Sequence, residues 1–233
     1  MGEYITITAT IGPGSFSAYL ARPAGPAASA VVVLHEVFGI NADLRQTCDD
    51  LAARGFIAVC PDLFWRQEPG VDLDVTSEIG WNHGLALYAA FDRSKGIDDI
   101  VDTINVARQL EGATGKVGVL GYCLGGLMTF LTAARSKVDA AVWFHGADTD
   151  KYLDERAAIT APLMMHMAGE DEFIPPLAQA AIKAAMADHA NAQIYDYPGC
   201  RHAFSRHGGA HYCAAAADDA NARTWSFFKT HLG

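Results

Sequence analysis

At 233 residues, 51% of them hydrophobic, the chain is long enough to bury the core of one full-sized enzyme domain. A net charge of −10, with its 17 Lys and Arg scattered, excludes the clustered basic footprint that a nucleic-acid backbone requires. No apolar run approaches the ~18 residues that span a bilayer, and five cysteines at irregular spacing (48, 60, 123, 200 and 213) make no disulfide framework.

The expectation is therefore one domain over residues 1–233 in a reducing compartment, the cytoplasm, with neither nucleic acid nor membrane as partner. No basic-then-apolar leader is read at the start. Met1 to Thr6 fits a loose myristoylation pattern, but a polybasic second signal is missing and the stretch reads better as a strand. No helix pattern shows a second apolar face, so a monomer is expected.

The chain opens as a hairpin. Tyr4–Thr8 alternates with strand period, Gly12-Pro13-Gly14 punctuates, and Phe16–Leu20 resumes. Near-continuous apolar runs follow at Ala30–Leu34, Phe56–Cys60, Val117–Leu120, Ala140–Phe144, Leu163–Met167 and Gln193–Tyr197. Such runs suit strands covered on both faces. Helical patterns lie among them. Asn41 caps one that carries Leu44, Cys48 and Leu51 and stops at Gly55. Ile97, Ile100, Val101 and Ile104 mark another, and Trp225, Phe228 and Leu232 the last. The alternation predicts an α/β fold, a mostly parallel sheet of about seven or eight strands with helices on both faces. Its site belongs at the strands' C-terminal ends.

One strand-to-helix junction carries chemistry. Lys116–Leu120 reads as a strand, Leu127–Leu131 as an opening helix, and Gly121-Tyr122-Cys123-Leu124-Gly125-Gly126 joins them. This is the setting of a nucleophile elbow, with Cys where Ser is commoner. Glycines flank the nucleophile because the turn is too tight for side chains. A helix N-terminus beneath the sulfur favours the thiolate. A phosphate-binding loop is the competing reading of the turn, but neither the Gly-x-Gly-x-x-Gly spacing nor a following Gly-Lys-Ser/Thr is present.

The partners of such a nucleophile come in the order acid, then histidine, each on a loop after a strand. The loop after Leu163–Met167 holds Glu170, Asp171 and Glu172, with Asp171 favoured and its neighbours as rivals. The loop after Gln193–Tyr197 holds His202. His35 and His166 fall at or inside strands and read as core, whereas His145 ends a strand and could line the site. His202, His207, His211 and Cys213 invite a metal reading, but Gly208-Gly209 breaks the helix that a shared ligand face would need, and no metal is expected.

With these residues in place, the chain resembles the dienelactone hydrolases (carboxymethylenebutenolidases), cysteine members of the α/β-hydrolases. The likeness runs through His35–Asn41, Val59–Phe64, Gly118–Gly126 and His202-Ala203-Phe204. The resemblance implies hydrolysis of a lactone or small carboxylic ester without a cofactor. It implies Cys123 as nucleophile, Asp171 orienting His202, and the backbone N–H groups of Val37 and Leu124 as oxyanion hole. Glu36 would keep the thiol protected until substrate displaces it, then help deprotonate it. The family's two arginines for a substrate carboxylate are matched only at Arg206; Trp81 stands at the other position and Leu85 at that of a neighbouring tyrosine. An indole lacks the guanidinium's charge and fork. A more apolar pocket, and a substrate other than dienelactone itself, are expected. A thioesterase or acyltransferase would use the same intermediate, and a binding module could keep the elbow as scaffold.

Overall fold

The computed structural model describes residues 2–25 and 27–233; Met1, where the myristoylation pattern begins, lies outside them. Eight strands are ordered β1-β2-β4-β3-β5-β6-β7-β8 in the sheet. The chain divides into two compact units, one ending at Val119 and the other beginning at Leu120.

In the first unit, β1 (Glu3–Thr8) and β2 (Ser15–Ala21) form the expected antiparallel hairpin, with Glu3 opposite Leu20 and Thr8 opposite Ser15. β3 (Ala28–Leu34) is buried at all seven positions and runs parallel to β4 (Ile57–Pro61), which pairs antiparallel with β2. Between them α1 (Ala42–Ala53) starts where Asn41 accepts a hydrogen bond from the Leu44 N–H at 3.1 Å. It buries Leu44, Cys48 and Leu51 and ends before Gly55, whose φ of +93° suits glycine. Helices α2 (Glu78–Ala90) and α3 (Arg93–Gln109) follow, and β5 (Ala113–Tyr122) continues past the boundary between the units. The Asp92 side chain caps α3 by accepting from the N–H groups of Ser94 and Lys95.

An ionic cluster ties the hairpin turn of this unit to α3. Asp99, nearly fully buried, accepts from Arg66 at 2.7 and 2.9 Å and from the Trp65 indole at 2.8 Å. The Arg66 guanidinium lies 4.3 Å from the centre of the Trp65 ring and also donates to the Ile11 carbonyl. Asp102, one helical turn on, holds the N–H and hydroxyl of Thr10 at 2.8 Å each.

In the second unit, α4 (Leu124–Arg135) precedes β6 (Ala140–Phe144), β7 (Leu163–Ala168), α5 (Pro176–Met186), β8 (Ala192–Tyr197) and α6 (Ala214–Leu232). β6, β7 and β8 are parallel, in register from Ala141–Leu163–Ala192 onward. Trp143, Phe130, Phe144, Phe204 and Phe228 are fully buried there. α6 departs from the sequence reading: Phe227 and Phe228 are buried with Leu232, and Trp225 is only half-buried. The buried stripe runs through Ala217, Ala220, Thr224, Phe227, Phe228 and Leu232, and Trp225 falls beside it. His35 and His166 are buried core residues with both ring nitrogens bonded.

Candidate active site

Cys123 occupies the sharp turn between β5 and α4, at φ 52° and ψ −112°. Such a conformation is strained for any residue with a Cβ and persists only where the surroundings over-determine it. Two contacts do so: its N–H donates to the Phe144 carbonyl, and its carbonyl accepts from Leu127, both at 3.1 Å. The glycines are required. A Cβ on Gly121 would collide with the Gly125 carbonyl, and one on Gly126 would lie 2.5 Å from the Phe144 oxygen. Cys123 is 9% exposed as a residue and sits at the N-terminus of α4, where the helix dipole favours negative charge.

Asp171 lies on the loop after β7. Its Oδ1 accepts from the N–H groups of Phe173 (2.8 Å) and Ile174 (3.2 Å), which lock the carboxylate, and both oxygens stand 2.9 Å from Nδ1 of His202. Asp171 and His202 are both buried. The rivals go elsewhere. Glu170 is exposed, while Glu172 pairs with Arg201 and accepts from the His202 backbone N–H at 3.3 Å. Glu172 therefore braces the loop that carries His202.

Burial opposes charge on His202, but the Cys123 sulfur and Asp171 outweigh it and push the pKa up to about 10. Its Nε2 makes no hydrogen bond of regular geometry among the described residues, so the link to Cys123 is chiefly one of charge. Two rings hold the imidazole edge-on: Phe173 at 4.8 Å and His145 at 4.5 Å between centroids. His211 bonds the His202 carbonyl through Nδ1 at 3.0 Å, and the His207 ring lies tilted 5.6 Å from that of Tyr212. These two histidines thus serve the loop's own structure, and the stretch around Gly208-Gly209 is turn rather than helix.

The other candidates are placed as follows. Leu124 is the first residue of α4, so its N–H is among those that a helix leaves without an internal partner. Arg206, half-buried, lies on the His202 loop with its N–H on the Ala203 carbonyl. In the first unit, Glu36 and Val37 are buried on the loop after β3. Gly84 of α2 packs so closely that a Cβ there would lie 2.5 Å from the Val37 oxygen. Trp81, one turn earlier, rests on Phe38 at 5.5 Å between ring centroids, and Leu85 is 37% exposed. Sequence reasoning did not single out Phe173 or Gly84, and it named Glu172 only as a rival for the acid. The signals were an apolar ring inside an acidic loop and a glycine inside a helix, where glycine costs about 1 kcal/mol.

Residues 16–232 match the profile of the "Dienelactone hydrolase family". The chain is 45% identical over 222 residues to the "Putative carboxymethylenebutenolidase" of Azospirillum brasilense, covering 94% of this chain and 95% of that protein. It is 37% identical over 224 residues to "Carboxymethylenebutenolidase 1" of Cupriavidus pinatubonensis, covering 96% and 95% respectively. Among solved structures, the "Putative Dienelactone Hydrolase" of Klebsiella pneumoniae superposes with a TM-score of 0.84 at 25% identity, over 98% of this chain and 99% of that one.

Proposed function

The chain belongs to the dienelactone hydrolase family, and on that premise we propose that Cys123, His202 and Asp171 hydrolyse a lactone or small carboxylic ester through an acyl-thioester, without a cofactor. The observation that carries this reading is the Asp171–His202 pair at 2.9 Å beside a cysteine held in a strained elbow.

His202 holds at Nε2 the proton of the Cys123–His202 pair, and the thiolate adds to the substrate carbonyl carbon. The oxygen that becomes negative is received by backbone N–H groups, for which Leu124 and Val37 are proposed. Each donor would contribute about 3 kcal/mol at the transition state. Collapse breaks the bond from carbon to the leaving oxygen, which takes the proton back from His202. Water, deprotonated by His202, then attacks the thioester and releases Cys123. Asp171 keeps Nδ1 protonated, so that Nε2 is free for both transfers. Glu36 is proposed to guard Cys123 until substrate arrives, which would limit its oxidation.

Arg206 is proposed to attract acidic substrates, with Trp81, Leu85 and His145 as further substrate contacts. Where the family carries a second arginine this chain has Trp81, which favours a less acidic substrate than dienelactone. We further propose a cytoplasmic monomer of 24.9 kDa, which sedimentation would test. Among the described residues no helix is long and apolar enough to cross a membrane.

The test is hydrolysis of p-nitrophenyl acetate and a panel of lactones, dienelactone included, by wild type, Cys123→Ala and His202→Ala. Wild type is expected to turn over at least one lactone and both variants none. Undiminished activity in Cys123→Ala would rule out the acyl-thioester. Trp81→Arg is expected to improve dienelactone relative to neutral lactones.

A further inference from the structure

We propose that His145 is a neutral hydrogen-bond donor to the leaving oxygen of the substrate, acting beside His202 in the step that expels it. The proposal rests on the acyl-thioester reading above and assigns one specific contribution to it.

His145 is the residue immediately after β6. It is completely buried, and its backbone sits at φ 35°, fixed by its N–H on the His166 carbonyl at 3.0 Å. Positive φ is uncommon for a residue with a Cβ, and strain of this kind gathers at functional sites. Its ring is boxed by Tyr122 and Phe144 at 6.2 Å, Phe204 at 6.0 Å and His202 at 4.5 Å.

Neither of its ring nitrogens has a hydrogen-bond partner among the described residues. The other buried histidines supply the control. His35 bonds the Glu36 carbonyl and the Leu63 N–H, and His166 bonds the hydroxyls of Tyr197 and Thr224. A buried polar atom left unpaired costs about 1–3 kcal/mol, so a fold that satisfies two histidines completely and leaves the third bare is holding those nitrogens for something else. The bare ring of His145 lies 4.5 Å from that of His202, centroid to centroid, next to the group that moves the proton.

The chemistry available to His145 is narrow. Burial, then the positive charge of His202, with Arg206 adding to it and Asp171 opposing, holds it neutral. A neutral imidazole offers one N–H donor and cannot compete with His202 as the acid. When the tetrahedral adduct collapses, the electron pair of the breaking C–O bond moves to the leaving oxygen, and the proton comes from His202. The N–H of His145 stabilises the charge on that oxygen before the proton arrives, and transfers no proton itself. The benefit is largest for basic leaving oxygens, which selects alkyl lactones and alkyl esters over activated aryl esters.

The test compares kcat/KM for δ-valerolactone and p-nitrophenyl acetate in wild type, His145→Phe and His145→Asn. Loss of a donor to a developing oxyanion costs roughly 10²-fold. His145→Phe is expected to lose about that on the lactone and less than about threefold on the aryl ester. Asparagine tolerates positive φ and keeps an N–H donor, so His145→Asn should retain most of the lactone activity. His145→Gly accepts the same backbone and carries the same differential should the phenylalanine variant not fold. Equal losses on both substrates, or no loss on the lactone, would overturn the role of His145. A wild type inactive on both substrates would instead sink the acyl-thioester reading, and this proposal with it.

Discussion

The protonation of His202 is set by its buried neighbours. Because burial disfavours the imidazolium, the rise of the His202 pKa to about 10 depends first on the Cys123 sulfur and then on Asp171. Cys123→Ala should therefore lower that pKa, as read by NMR titration of the ring; a value still near 10 would mean that Asp171 suffices. A pKa raised above the unfolded value of ~6.5 stabilises the native state fully below that pH, and the contribution fades as pH rises through about 10. The stability gap between wild type and His202→Gln in urea melts should accordingly be wider at pH 6 than above pH 10. Asp171→Asn is expected to keep the fold but lower kcat by about 10⁴-fold, because an amide no longer fixes the tautomer. The sequence favoured Asp171 as the acid but left its neighbours Glu170 and Glu172 as rivals. Asp171 was singled out by the two N–H groups that lock it and by the reach of His202, both of which depend on how the loop folds.

Elements place these residues, and here glycine and caps matter more than bulk. Gly84 lies inside α2, where alanine would ordinarily favour the helix, yet a Cβ would meet the Val37 carbonyl at 2.5 Å. Gly84→Ala is expected to shift the Val37 peptide and, if Val37 is the proposed oxyanion donor, to lower kcat/KM between about 10- and 100-fold, in line with an ångström-scale misplacement. Unchanged kinetics would separate Val37 from oxyanion binding. Asn41→Ala removes the cap of α1 and should cost about 1 kcal/mol in urea unfolding with little change in kcat. The start and stop of α1 were legible because Asn41 and Gly55 act locally. The buried face of α6 was not, since much of its stripe is built from the small residues Ala217, Ala220 and Thr224, which carry little hydrophobic signal in the sequence.

For the molecule as a whole, long-range polar contacts and net charge carry the expectations. The Asp99 cluster joins residues 33 and 34 positions apart in sequence, and Asp99→Ala would strand the Arg66 charge on a partly buried side chain. A loss of about 3–5 kcal/mol in thermal or urea unfolding is expected. With a net charge of −10 and an isoelectric point near 5.2, the protein should be least soluble close to that pH, measurable by light scattering.

The sequence by itself determined what is local or periodic: the strand and helix runs, the glycine-flanked cysteine, and the order of acid and histidine along the chain. Those signals survive in one dimension because turn sterics and hydrophobic period act over a few residues. Only the tertiary structure decided which carboxylate meets His202 and that Glu172 braces its loop. It alone left His145 buried at positive φ with both nitrogens bare. Each of these turns on groups brought within a few ångströms from loops tens of residues apart, and chain spacing does not encode that distance.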